Sequence, residues 1–258
     1  MNTLAVALLG LFALGYLVLG GADIGVGMVL PFLGRTSRDR RLVIAAIAPF
    51  FLGNEVWLVA TAGVLAGAFP PMESSVLHGL YPAVAALLLG WVVRDTGLWL
   101  RGRVDARGWR ACCDTAITAG SWTVALSWGA ILASLIQGST TQVRTTPSAI
   151  ATALAVAGLF AVHGMAFAAV RLTGSPRHRA RRLCGSSGEA TLLAATSAAL
   201  VVLGLLAGFG LEPAGRTADH ASLVFLLPPV LFVTPLLLAT QGWVWWTFRH
   251  RVTTATYL

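Results

Sequence analysis

Seven apolar stretches, each long enough to cross a bilayer and joined by short loops, constrain this chain more than any other feature. They run over about 4–33, 43–69, 76–93, 113–137, 147–171, 189–211 and 222–248. A membrane-crossing helix needs roughly 17–25 residues. Backbone amides in hydrocarbon must pair within their own segment, so apolar runs of this length become helices. Only 11% of the 258 residues are charged, under half the ~25% of a soluble globular domain. The expectation is an all-α, polytopic membrane protein of about seven transmembrane helices, forming one domain over 1–258.

The arginines set the expected topology. All 18 basic residues are arginine, and they collect in alternate loops: 34–42, 94–110, 171–182 and the tail. The intervening loops hold none or one. Short arginine-rich loops stay cytoplasmic, which places the N-terminus outside and the C-terminus in the cytoplasm. The net charge of +8 is thereby read as topology. It does not point to nucleic acid, for which the sequence offers neither a basic groove nor a soluble domain. The N-terminus does not read as a cleavable signal, because it lacks a basic start and its apolar run is too long. Cys112, Cys113 and Cys184 fit no metal spacing and no disulfide framework; they read as reduced thiols, and no metal site is expected.

Against this apolar background two carboxylates stand out, Asp23 and Glu55. Asp23 lies 15 residues before Arg38 and Glu55 lies 17 after it, so two antiparallel helices would carry both about 22–26 Å from the turn. A charged side chain at that depth costs about 2.5–3.5 kcal/mol or more and is a functional candidate.

The motifs now identify a family. Gly21-Ala22-Asp23-Ile24-Gly25-Val26-Gly27-Met28 resembles the first-helix signature of cytochrome bd quinol oxidase subunit II. Arg40-Arg41, Ala48-Pro49 and Gly53-Asn54-Glu55-Val56-Trp57-Leu58 are similar to the next family segment. Gly120-Ser121, Leu135-Ile136-Gln137-Gly138, His163-Gly164-Met165 with Arg171 and Ala180-Arg181-Arg182-Leu183, and Ala239-Thr240-Gln241-Gly242-Trp243 follow in family order.

The resemblance implies a bacterial cytoplasmic-membrane complex of the respiratory chain that oxidises quinol and reduces dioxygen to water. Haem b and haem d would be held by subunit I, and this chain would ligate neither. It would serve assembly, a bound quinone and a proton path. A small additional subunit is a further candidate partner, since the family commonly has eight helices. Two family acids are replaced, by Leu52 and by Trp99, while Asp23 remains.

Burial disfavours the charged form of a carboxyl, so Asp23 and Glu55, bridged by Asn54 or water, are candidates for a proton relay. The plainer alternative is that Glu55 hydrogen-bonds across helices or pairs with an arginine of the partner subunit. Arg94, Trp57 and Gln137 are candidates near a quinone or the subunit interface. Arg94, ending the third span, has three open roles: reaching headgroups, neutralising a haem propionate, or pairing with Asp114. His163 reads as a hydrogen-bonded packing residue. A carrier working alone is the competing class, for which Pro228, Pro229 and Pro235 would interrupt the last helix. A structural partner in a bd-like complex without respiratory chemistry is the third.

Overall fold

A helix that is apolar all round belongs inside a bundle, and α1 (Asn2–Met28) is such a helix: every residue from Gly20 to Met28 is buried. The computed structural model describes residues 1–182 and 188–254. Among them it contains helices and no strand. α1 is the hub, packing against α4 (Phe51–Ala68), α7 (Arg107–Ile136), α8 (Pro147–Arg171) and α10 (Glu189–Leu211). With α6 (Tyr81–Leu100) and α11 (His220–Thr247), these make seven helices long and apolar enough to cross a membrane. Shorter helices join them: α2 (Leu30–Leu33), α3 (Ser37–Ile47), α5 (Pro70–Gly79) and α9 (Gly174–Arg181).

Glycines let the inner helices touch backbone to backbone, as small residues do in lipid. A methyl group on Gly25 would stand 1.9 Å from the Phe160 carbonyl oxygen, so α1 and α8 cross there with no room for a side chain. One on Gly120 would stand 2.7 Å from the Arg94 amide nitrogen, which presses the Arg94 backbone of α6 against α7.

Several boundaries differ from the hydropathy reading. The run 43–69 is two helices, because Pro49 has no N–H to continue the ladder and its ring clashes with the preceding turn. α3 is thereby split off; it carries Arg38, Arg40 and Arg41 and buries Val43, Ile44, Ala46 and Ile47. Loop 70–75 is helical, within α5. The third span begins at Tyr81 and continues to Leu100, so Arg94 lies inside it and does not end it. α11 runs unbroken through Pro228, Pro229 and Pro235.

The arginine-rich connections meet at one end of the bundle. Arg40 of α3 pairs with Asp114 of α7 at 2.9 Å, Arg179 of α9 with Asp39 at 2.6 Å, and Arg251 and Arg177 both with Glu189 at the start of α10. At the other end the Ala218 amide donates to the Ala68 carbonyl at 2.8 Å, tying the start of α11 to the end of α4. Cys112 is exposed and Cys113 buried, both as free thiols; Leu183 and Cys184 lie outside the described residues.

Candidate functional site: a buried arginine shared by three carboxyls

Arg94 is 2% exposed and projects from α6 towards α1 and α4. Its Nη2 donates to Asp23 Oδ1 at 2.6 Å. Its Nη1 donates to Asp95 Oδ1 at 2.8 Å and, at the long limit of 3.4 Å, to Glu55 Oε1. The guanidinium carbon also stands 5.9 Å from the centre of the Phe51 ring. One cation therefore serves three acids drawn from three helices.

The second oxygen of Asp23 is held by a chain of amides. Asn54 Nδ2 donates to Asp23 Oδ2 at 2.7 Å and to the Leu19 carbonyl at 2.9 Å. Gln241 Nε2 of α11 donates to Asn54 Oδ1 at 3.0 Å, and Trp57 Nε1 donates to Gln241 Oε1 at 3.2 Å. Trp57 in turn packs edge-on against Phe12, ring centres 6.2 Å apart.

Asp23, Asn54, Trp57, Glu55 and Arg94, five of the six residues singled out from sequence, are thus one network. The sixth, Gln137, is elsewhere: it ends α7 and bonds Ser148 and Thr146. Two expectations for Arg94 are corrected. It lies in the interior of a helix where acids surround it, so it does not reach for headgroups. Asp114 is not its partner, being held by Arg101 at 2.5 Å and by Arg40. Glu55 finds its arginine within this chain. It meets Asp23 through Arg94, and Asn54 bonds only the Asp23 side.

Asp95 lies beyond the span that hydropathy assigns, which ends at residue 93. A signal for it existed: Trp91, Asp95 and Trp99 are spaced by four, one face of a continuing helix. Gln241 was noted only as part of a motif. His163 is a packing residue, its ring nitrogens 2.7 Å from Thr196 Oγ1 and 2.9 Å from the Val18 carbonyl.

The cluster is graded in exposure. Asp23 is 3% exposed as a residue, and the Glu55 and Asp95 side chains are 12% and 18% exposed. Their edge adjoins an exposed apolar face of α4 and α6 that includes Leu52, Val56, Val92 and Trp99. Leu52 and Trp99 line one groove of about 400 Å³ with Ile44, Phe51, Leu98 and Arg103. The two positions where acids were expected are therefore neighbours. Glu55 is one turn further along α4 than Leu52, and Asp95 one turn back along α6 from Trp99.

Removing charges from water is costly unless each is paired, and a single guanidinium balances a single carboxylate. Three carboxyls at one guanidinium therefore leave acid groups without a matching cation among the described residues. No three metal-ligating side chains converge among the described residues.

Comparison with known proteins agrees with the motifs. The family cytochrome bd terminal oxidase subunit II matches over residues 1–215. Cytochrome bd-I ubiquinol oxidase subunit 2 of Escherichia coli (strain K12) is 36% identical over 131 residues, 51% of this chain and 35% of that protein. The probable cytochrome oxidase subunit 2 of Haemophilus influenzae is 30% identical over 195 residues, 70% of this chain and 52% of that protein. Cytochrome bd ubiquinol oxidase subunit 2 of Bacillus subtilis is 30% identical over 186 residues, 68% and 55%. The matches thus span 35–55% of the length of these relatives. With seven apolar helices and bacterial relatives, this is a multi-pass protein of the bacterial cytoplasmic membrane, and it belongs to the cytochrome bd terminal oxidase subunit II family.

Proposed function

We propose that this chain is the subunit II of a bd-type quinol:oxygen oxidoreductase, partnering a haem-binding subunit I, and that its Asp23–Arg94–Glu55–Asp95 cluster is a proton-holding station. The observation that carries the reading is the surplus of carboxyls, from α1, α4 and α6, around the buried Arg94, all within the family-matched residues. Reduction of dioxygen to water consumes protons. An acid pair that opens beside an exposed apolar face is placed to deliver them to a partner seated there. Haem b and haem d belong to that partner in this reading, and this chain ligates neither.

Glu55 and Asp95 stand in for the acids replaced by Leu52 and Trp99. The pair has moved one turn, about 5.4 Å, along both helices in the same direction, because α4 and α6 run antiparallel. The proton path is relocated rather than lost.

The groove beside Leu52 and Trp99 suits the apolar part of a quinone, with apolar and aromatic walls and Arg103 as a polar contact. Arg94 and Trp57 are committed to the buried network and Gln137 is remote, so this groove replaces them as the quinone candidate. The arginine-rich end of the bundle faces the cytoplasm, which puts the N-terminus outside. The reading as a carrier rests on the buried Asp23 and Glu55 and on an interrupted last helix, and it loses the second, since α11 is not interrupted.

Purification of the chain from its native membrane, with a reduced-minus-oxidised spectrum and quinol-driven oxygen uptake, tests the assignment. Haem b and d bands with uptake are expected. A colourless single chain would overturn it.

A further inference from the structure

We infer that the hydrogen-bond chain Trp57–Gln241–Asn54 has a fixed polarity that keeps Asp23 an anion, and that the exchangeable proton of the cluster belongs to Glu55 and Asp95. This assignment deepens the proton-station reading and rests on it.

The argument is an inventory of donors and acceptors. An indole N–H donates and never accepts. Trp57 Nε1 therefore requires an oxygen, Gln241 Oε1, to face it at 3.2 Å. That leaves Gln241 Nε2 for Asn54 Oδ1 at 3.0 Å, and turns Asn54 Nδ2 towards Asp23 Oδ2 at 2.7 Å. The Leu19 carbonyl has no proton to give, and at 2.9 Å it adds to the preference for the same orientation. Turning the Asn54 amide over would set oxygen against two acceptors and NH₂ against the Gln241 NH₂. All three contacts would be lost.

The remaining oxygen of Asp23 receives Arg94 Nη2, and a guanidinium has no acceptor. Both oxygens of Asp23 thus face donors alone, and a proton on either would point at an N–H. Hydrogen bonds to the charged form favour it. The other titratable groups near Asp23 are Tyr16, buried on the same helix, and the Glu55 and Asp95 carboxyls beyond Arg94.

Glu55 and Asp95 are arranged differently. They share one nitrogen, Arg94 Nη1, at 3.4 Å and 2.8 Å, at the more exposed edge of the cluster. Two carboxyls at one donor disfavour double ionisation, and a proton on one has the other as its acceptor. Trp57 and Gln241 are accordingly positioning residues: they touch no proton in transit and act through Asn54 on Asp23.

Infrared difference spectroscopy of the purified complex in lipid, over a pH titration in H₂O and D₂O, reads protonated carboxyls from their carbonyl band. Wild type is expected to show such a band, and the double variant Glu55→Gln/Asp95→Asn to lose it. Trp57→Phe keeps the ring against Phe12 but frees Gln241 and Asn54 to turn. It is expected to gain a second carbonyl band, which Trp57→Phe/Asp23→Asn then lacks. A wild-type band that survives in Glu55→Gln/Asp95→Asn would overturn the assignment, as would a Trp57→Phe spectrum identical to wild type. Should the wild-type band be present but follow Asp23, this inference alone fails. If quinol-driven oxygen uptake is also unchanged in Glu55→Gln and Asp95→Asn, the proton-station reading fails with it.

Discussion

The interior cluster and the arginine-rich end use the same residue types in opposite proportion. Inside, among the described residues, Arg94 alone faces Asp23, Glu55 and Asp95. At the end, Asp114 is held by Arg40 and Arg101, and Glu189 by Arg177, Arg181 and Arg251. An acid surrounded by arginines has nothing to exchange: its charge is satisfied and it ties loops together. An arginine surrounded by acids leaves carboxyls whose charge is not matched. The first ratio ties the end of the bundle together, and the second, in the function proposed above, makes a place for protons. On that proposal the ratio of partners, more than the presence of a buried ion pair, separates structural from functional sites.

Breaking the interior ratio should have the largest effect. Arg94→Met leaves three carboxyls with no cation, and stranding one partner of a buried ion pair costs about 3–5 kcal/mol. Thermal unfolding of the purified complex should show a large loss of stability or no recoverable protein. Glu55→Gln preserves the shape and, on the proposed proton role, removes an exchangeable proton; the expected result is on the order of 10²-fold slower oxygen uptake with haem content unchanged.

At the arginine-rich end, Asp114→Asn strands Arg101, which is 2% exposed. It should lower stability by about 1–3 kcal/mol while uptake per complex stays at the wild-type rate. The smallest effect is expected from Asp219→Ala, which removes the exposed cap of α11, a bond from the Ser222 amide at 2.9 Å. The Ser222 amide and hydroxyl hold the Asp219 carboxyl below its ordinary value. A depressed carboxyl stabilises above its unfolded pKa, and that contribution disappears as pH falls through the lowered one. The difference in melting temperature between wild type and Asp219→Ala should therefore shrink in acid.

Much of this is legible in the sequence, for a physical reason. Charge in hydrocarbon is expensive, so Asp23 and Glu55 stand out inside apolar runs, and both meet Arg94. Hydropathy averages composition and ignores packing, and this is where it failed. It ends the third span at Arg94 and passes over Asp95, although the partner that keeps Arg94 buried lies 71 residues away at Asp23. It joined α3 to α4, although Pro49 separates them. Gln241 closes the network from 187 residues beyond Asn54, a contact no local pattern encodes. Gln137 shared a motif with the family but not a location with the site.

The most direct test of the central claim is quinol-driven oxygen uptake per haem in wild type, Glu55→Gln and Asp114→Asn, measured on complexes of equal haem content. The account predicts a rate that collapses in Glu55→Gln and is unchanged in Asp114→Asn. Equal rates in all three would contradict it, since the acid-rich interior would then be as structural as the arginine-rich end.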